Sequence, residues 1–376
     1  MTNSPVIDQT YMHRAIELAK LGRYTTTPNP NVGCVIVNQQ RIVGEGFHQY
    51  AGGPHAEVYA LQQAGKLAEN ATAYVTLEPC SHYGRTPPCA DSLIAAKIGR
   101  VVIAMQDPNP QVSGRGIEKL KGAGIDVTIG VLEAEAKQVN RAFLQRMSTQ
   151  RPFVTLKLAA SLDGRTALSN GQSQWITGEA ARLDVHALRA ENCVIMTGAD
   201  TILSDDPQLN VRFPVEQLYP KELGERELRQ PCKVIIDSKN RLTANHQVFM
   251  MTGEVIVANC TANTALHDIA GSKAKITQWQ IPRNGQYLDL HVLMGKLAAQ
   301  GFNSIWLEAG ARLSGALLQQ KLVDELLVYQ APKLMGPAAK PLLDLPEFET
   351  MNEVPELNVE SVSVIGSDVK ITLNRL

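Results

Sequence analysis

Residues 54–65 read PHAEVYALQQAG, and residues 78–89 read EPCSHYGRTPPC. The first stretch holds a histidine and a glutamate two positions apart. The second holds two cysteines nine positions apart, with a histidine between them. Cysteine sulfur and histidine nitrogen are the donors zinc prefers, and a catalytic zinc takes three protein ligands and leaves one place for water. His55, Cys80 and Cys89 make up such a set. Both cysteines are expected at or near helix starts, whose positive end favours the metal-binding thiolate. Glu57 is close enough to serve the same place without being a ligand. Zinc would lower the pKa of the water toward ~7. Glu57 would then take its proton and pass it to a leaving amine. The competing reading is a structural zinc with His82 as fourth ligand, which leaves Glu57 without a task.

The rest of the chain has to position these groups. Its 376 residues suit two domains, and a hydrophobic content of 44% is that of a globular protein. A net charge of −1 gives no reason to expect a nucleic-acid or membrane partner. No run of 18 apolar residues suggests a membrane span, and the opening MTNSPVIDQTYMHRAIELAK lacks the pattern of a signal peptide. The six cysteines therefore read as reduced thiols or metal ligands, as expected in the cytoplasm. Cys34, Cys193, Cys232 and Cys260 sit in or beside apolar runs and read as buried small hydrophobes.

Helical spacing in TYMHRAIELAKLG is followed by two strands around a turn at Asn38–Gln40. A helix from near Pro54, the strand TAYVTL, the helix CADSLIAAKIG and the strand RVVIAM follow. GIEKLKGAGIDVTIG then gives helix, turn and strand, and EAEAKQVNRAFLQRMST one closing helix. This alternation predicts a layered α/β domain. QRPF marks a boundary, which divides the chain into 1–149 and 150–376. The second part brings strands FVTLKLAAS, NCVIMTG, CKVIIDS, EVIVANC, DELLVYQAP and DVKITLNRL, and the helix GEAARLDVHALRAE. Residues 214–231 read as a surface excursion. No G-x-G-x-x-G supports a Rossmann site. Instead LEAGARLSG follows an apolar strand. There Gly310 would permit a tight turn, and the helix start would offer N–H groups to an anion such as a dinucleotide phosphate.

The nine-position cysteine spacing departs from the three-position spacing of the general zinc-deaminase signature. Together with TPNPNVGCVIV, GEGFH, TLEPCSHYGRTPPC and DPNPQVSGRG, it resembles one branch of the cytidine-deaminase-like family. That branch is the deaminase half of the bifunctional deaminase/reductases of riboflavin biosynthesis. KLAASLDGRTA, SQWIT, DDPQLNVR, IWLEAG and APKLMG are similar to the reductase half, so the resemblance covers nearly the whole chain.

The resemblance implies an enzyme with a cytidine-deaminase-like α/β/α domain followed by a dihydrofolate-reductase-like α/β domain. The first would use one zinc per chain to deaminate 2,5-diamino-6-(5-phosphoribosylamino)pyrimidin-4(3H)-one to 5-amino-6-(5-phosphoribosylamino)uracil. The second would reduce the ribosyl side chain to ribityl with NADPH. His55, Cys80 and Cys89 would bind zinc and Glu57 would shuttle protons. Asn29, His48, His82, Arg85 and Asn109 would line the pyrimidine-ribotide pocket. Ala159, Trp175, Thr201, Asp205, Ser238 and the turn Gly310, Ala311, Arg312, Leu313, Ser314, Gly315 and Ala316 would contact the cofactor. Ser173, Arg189, Leu209, Arg212 and Glu308 would contact substrate, with Lys157, Asp205 and Glu308 nearest the reacting sugar carbon. A cytoplasmic homo-oligomer, dimer or tetramer, is expected. Two other readings remain at this point: a tRNA adenosine deaminase with an appended domain, and a deaminase fused to a non-catalytic ligand-binding module.

Overall fold

Short apolar runs alternating with amphipathic segments build two large sheets, and β-pairs of two strands each add two small ones among the described residues. The computed structural model describes residues 5–81, 88–109, 113–224, 226–267, 269 and 271–375. The chain divides into two compact units, Met1–Gln150 with Tyr219–Arg226, and Arg151–Leu218 with Glu227–Leu376.

The first unit begins with α1 (Pro5–Lys20), β1 (Gly33–Asn38), β2 (Arg41–Phe47), α2 (Ala56–Ala64) and β3 (Thr72–Val75). It continues through α3 (Cys89–Ala95), β4 (Arg100–Ile103), α4 (Arg115–Gly122), β5 (Asp126–Ile129), α5 (Glu133–Val139) and α6 (Arg141–Thr149). Its sheet runs β2-β1-β3-β4-β5. β1 and β2 form the expected hairpin, turned by Gln39 and Gln40 at φ 48° and 62°. Left-handed backbone at both central residues matches the twist of the strands they join. β3, β4 and β5 are parallel. Ile36, Val75, Leu93, Ile103 and Leu120 fill the core between sheet and helices. Each such side chain contributes roughly 1.5–3 kcal/mol by burial.

The closing segment of this unit is two helices, where its sequence predicts one. The break falls at buried Asn140, whose side chain donates to Asn31 O at 2.8 Å and accepts from Asn31 N at 2.7 Å. A tertiary pair of hydrogen bonds thus overrides helical periodicity. Residues 214–231 are also more than a surface excursion. Tyr219 and Leu223 are buried, and Arg226 lies 4.1 Å from the Tyr50 ring centroid, all within the first unit.

The second unit opens with β6 (Phe153–Ser161), β7 (Arg165–Ala167), α7 (Glu179–Glu191), β8 (Val194–Gly198), α8 (Ala199–Asp205) and α9 (Val215–Leu218). Next come β9 (Cys232–Ile236), α10 (Gln247–Met250), β10 (Gly253–Asn259), β11 (Ala274–Gln280), β12 (Arg283–Asn284) and β13 (Tyr287–Leu288). α11 (Leu290–Ala299), β14 (Ser304–Leu307), α12 (Ala311–Gln319), β15 (Glu325–Ala331), β16 (Lys340–Pro341), β17 (Leu357–Ile365) and β18 (Asp368–Arg375) complete it. Nine strands form one sheet in the order β11-β10-β9-β8-β14-β6-β15-β18-β17. The strands from β11 to β15 are parallel, and only β18 and β17 run antiparallel to their neighbours. No helix among the described residues is long and apolar enough to cross a membrane.

One buried ion pair clamps α1 to the first sheet. Asp8 is 5% exposed, takes both ends of the Arg100 fork at 2.8 Å and accepts from the Tyr74 hydroxyl at 2.9 Å. Burial alone would raise the Asp8 pKa, but these partners hold it below the ordinary value. A depressed carboxylate contributes stability above its unfolded pKa and loses it as pH falls through the folded value. Arg100→Ala is expected to cost about 3 kcal/mol in denaturant melts at pH 7, because it strands a buried charge. The gap to wild type should narrow below about pH 4. A gap that widens there would contradict this account.

Candidate functional site

The first cluster is built by two helix starts and the loop between them. His55 is the N-cap of α2 at φ −78° and ψ 165°, and its ring makes no cap hydrogen bond. The imidazole turns instead to the sulfurs, with Nδ1 3.1 Å from Cys89 Sγ and 3.6 Å from Cys80 Sγ. Cys89 is the first residue of α3, as its sequence predicts. Cys80 is not on a helix start: it lies in the loop after β3 and receives the Cys89 N–H at 3.3 Å. The helix end acts on it through that amide. Cys80 is pushed down to about 4, first by the hydrogen bond from the Cys89 thiol, with His55 and the Cys89 amide assisting against burial. The three donor atoms lie within 4.8 Å of one another. Two soft sulfurs and one imidazole converging this closely fit zinc.

Glu57, in the first turn of α2, is 3% exposed. Its Oε2 is buried with no hydrogen-bond partner among the described residues. Burial raises its pKa, with His55 opposing. The helix holds this carboxyl against the strands because its backbone passes very close to β2; a Cβ at Gly46 would meet Ala56 O at 2.3 Å.

Beside the cluster, His48 is buried and stands edge-on to His55 at 5.6 Å between ring centroids. Its Nδ1 is 2.9 Å from Pro54 O, which can only accept, so Nδ1 carries the proton. Nε2 then accepts from Asn29 Nδ2 at 3.0 Å. Burial lowers the pKa of His48 and favours this neutral form. Asn109 is half-buried, its amide bound to Asp107 Oδ1 at 2.8 Å. His82 and Arg85 lie outside the described residues.

In the second unit, β14 inserts between β6 and β8, strands that precede it by more than 100 residues. Such a reversal of strand order opens a crevice at the carboxyl ends of parallel strands. Thr201, Ser238 and Gly310 follow the ends of β8, β9 and β14. α12 starts without a side-chain cap, so its first N–H groups are open to an anion. An uncapped start at that edge fits the phosphates of a dinucleotide. Gly310, however, does not make a tight turn. It has φ −69° and ψ 166°, backbone any residue adopts, and a Cβ there would meet nothing within 4 Å. Glycine is required at Gly315 instead, where a Cβ would lie 1.9 Å from Asp344 O.

Glu308 follows β14 and Lys157 lies on the adjacent β6. Arg189 grips Glu308 with Nε at 2.6 Å and Nη2 at 2.8 Å, and Trp306 Nε1 donates to it at 2.6 Å. Burial opposes ionisation of Glu308, but Arg189, Lys157 and Trp306 together bring its pKa to about 2. Burial lowers the pKa of Lys157, with Glu308 opposing. Arg189 is thus committed to a carboxylate, whereas among the described residues the exposed Arg212 guanidinium donates to neutral side chains, Gln208 at 3.2 Å and Asn210 at 3.0 Å. Asp205 shares no hydrogen bond or ion pair with Lys157 or Glu308 among the described residues. It is exposed at the end of α8 and accepts from Ser204. Trp175 is 63% exposed with the Arg182 guanidinium 4.5 Å from its ring centroid. Leu209 is buried, Ser173 is half-buried, and Ala159 pairs with Tyr329 on β15.

Residues 5–105 match the model for the cytidine and deoxycytidylate deaminase zinc-binding region, and residues 152–371 that for the RibD C-terminal domain. The riboflavin biosynthesis protein RibD of Escherichia coli K12 is 52% identical over 371 residues, covering 97% of this chain and 99% of that protein. The chain belongs to the RibD family. The Haemophilus influenzae RibD is 47% identical, covering 97% of this chain and 96% of that protein. A solved Acinetobacter baumannii RibD superposes with a TM-score of 0.89 at 44% identity, covering 99% of each chain. A Thermotoga maritima deaminase/reductase does so at 0.82 and 33%, also over 99% of each. Like other RibD proteins, this is a bifunctional deaminase and reductase of riboflavin biosynthesis, with a zinc-binding deaminase domain and an NADPH-dependent reductase domain.

RibD sequence motifs alone did not single out Trp306, Tyr329 or His186. Trp306 and Glu308 are two positions apart, a strand's same-face spacing that signals their pairing. Tyr329 donates to Asp184, which also receives Lys370 at 2.8 Å, and the Tyr329 ring faces Lys157 at 6.0 Å. His186 Nδ1 accepts from Arg212 N at 3.2 Å. No local sequence signal predicts those long-range partners.

Two glycine variants separate cofactor approach from folding. Gly315→Ala should destabilise the second unit by about 1–3 kcal/mol, since backbone must move. Gly310→Ala should fold normally yet raise the NADPH concentration for half-maximal rate by about threefold, the methyl crowding an anion at the helix start. Unchanged NADPH dependence in Gly310→Ala would contradict the placement.

Proposed function

We propose that His55, Cys80 and Cys89 hold the deaminase zinc and that Glu57 moves the protons of deamination. The substrate on this reading is 2,5-diamino-6-(5-phosphoribosylamino)pyrimidin-4(3H)-one, and the domains divide at 149/150. The observation that carries it is the buried, unpartnered Glu57 Oε2 beside the three converging donors. Zinc, when held there, supplies Lewis acidity that makes water a nucleophile at neutral pH. Glu57 accepts a proton from the attacking water and returns it to the departing amino nitrogen, so ammonia leaves without a free anion forming. Asn29, held by neutral His48, and Asn109 would read the pyrimidine edge, with His82 and Arg85 completing the ribotide pocket.

For the reductase we assign the cofactor to Ala159, Trp175, Thr201, Asp205, Ser238 and Gly310 to Ala316, and the substrate to Ser173, Arg189, Leu209, Arg212 and Glu308. NADPH, when bound, supplies the hydride. Lys157 and Glu308 are assigned nearest the reacting sugar carbon, and burial weakens the hold of Lys157 on its proton. Arg212 suits the phosphate because, among the described residues, its guanidinium pairs with neutral side chains and with no carboxylate. Glu308 keeps Arg189 in place, and Asp205 is assigned both to the cofactor and to the group of ionisable side chains nearest the reacting sugar carbon. We also take the protein to be a cytoplasmic homo-oligomer, a dimer or tetramer, to be checked by sedimentation. Free cysteines support the compartment. Exposed Val359, Val362 and Val364, kept on one face of edge strand β17 by a bulge, support self-association.

Glu57→Gln should keep its zinc and its NADPH-dependent reduction of the aminouracil ribotide while ammonia release falls by about 10²–10⁴-fold. Near-normal ammonia release from that variant would overturn the assignment.

A further inference from the structure

Glu78 is the acid of the EPC sequence, two residues before Cys80, and is 3% exposed. It is too far inside the fold to meet solvent and plays no part in the chemistry above. Its carboxylate spends all its capacity on backbone amides. Oε2 accepts from Asp107 N at 3.3 Å and from Gly114 N at 3.0 Å, and Oε1 accepts from Gly116 N at 3.0 Å and Ile117 N at 3.4 Å. The Gly116 and Ile117 amides belong to the first turn of α4, whose N-cap Gly114 has no side chain to serve them. One oxygen therefore grips the amides of both Asp107 and Gly114, and the other caps α4. Contact is close: a Cβ at Gly116 would lie 2.0 Å from Pro79 O.

Asn109 sits inside the gripped segment. Its N–H goes to Asp107 Oδ1 at 2.8 Å and its carbonyl accepts from Ser113 N at 2.8 Å, so its backbone follows the anchors on either side. We infer that Glu78 is a positioning residue for deamination, which locks Asn109 to the loop after β3 that bears Cys80. The inference rests on the reading of Asn109 as a substrate contact. Charge matters to this role, since four N–H donors converge on one anion. Glutamine would turn two donors of its own toward one of the two amide pairs and release it. Aspartate would keep the charge but lack the reach to serve both pairs.

The test uses full-length, zinc-loaded chains with the diaminopyrimidine ribotide as substrate. Glu78→Gln should raise KM for deamination about tenfold with less than about threefold change in kcat. Zinc per chain and the reductase rate should stay at wild-type values, and Glu78→Asp should raise KM less. Combining Glu78→Gln with Asn109→Ala should be no worse than Asn109→Ala alone, since both act through one contact. Additive effects, or loss of zinc from Glu78→Gln with the reductase intact, would overturn the inference. If Glu78→Gln fails to fold, the same KM comparison passes to Glu78→Asp, and a wild-type KM there overturns it too. A raised KM for Asn109→Ala beside an unchanged one for Glu78→Gln overturns the inference alone. An unchanged KM for Asn109→Ala removes the Asn109 reading and the inference together.

Discussion

A carboxyl group buried with one oxygen unsatisfied is costly, and Glu57, whose Oε2 has no hydrogen-bond partner among the described residues, bears that cost at 3% exposure. Much of the first unit can be understood as the apparatus that keeps it there. The start of α2 brings in His55 as N-cap and Glu57 in the first turn, and the close approach of α2 to β2, with a Cβ at Gly46 meeting Ala56 O at 2.3 Å, sets how near the helix lies to the strand. Cys89 at the start of α3 closes the other side. The His55–Cys80–Cys89 cluster and Glu57 constrain one another. Thiolate character at Cys80 depends on its neighbours' hydrogens, and the protonation of Glu57 depends on burial beside them.

The second unit follows a different rule. Its chemistry sits where a parallel sheet reverses strand order, so strands distant in sequence end side by side. There the Arg189–Glu308 pair is half-buried and bidentate, with Trp306 fixing one carboxylate oxygen. A pair so placed gives orientation more than stability, because desolvation offsets much of the attraction. It leaves Lys157 as a cation with weakened hold on its proton and Arg212 as the exposed guanidinium.

Local signals were legible in the sequence where a short stretch carried its own chemistry. His55, Glu57, Cys80 and Cys89 were found by donor type and spacing, and the β1–β2 hairpin by its apolar pattern. Long-range hydrogen bonds were not legible. Asn140 breaks a periodic helix because Asn31, 109 residues away, binds both ends of its amide. Glu78 looked like part of a motif, but its four partners lie 29–39 residues further on. Gly310 illustrates the opposite error. A glycine between strand and helix suggested a tight turn, yet its backbone is ordinary and the steric demand falls on Gly315, set by Asp344. His82 and Arg85 are known from the sequence motif alone.

The central claim is that three side chains hold the zinc and one place is left for water. Zinc K-edge absorption on the purified wild type and His82→Ala tests it most directly. The account predicts one zinc per chain in both, with two sulfurs at about 2.3 Å and two lighter neighbours at about 2.0–2.1 Å, unchanged by the substitution. Loss of zinc, or of an imidazole signal, in His82→Ala would mean a closed four-ligand site and would contradict the account.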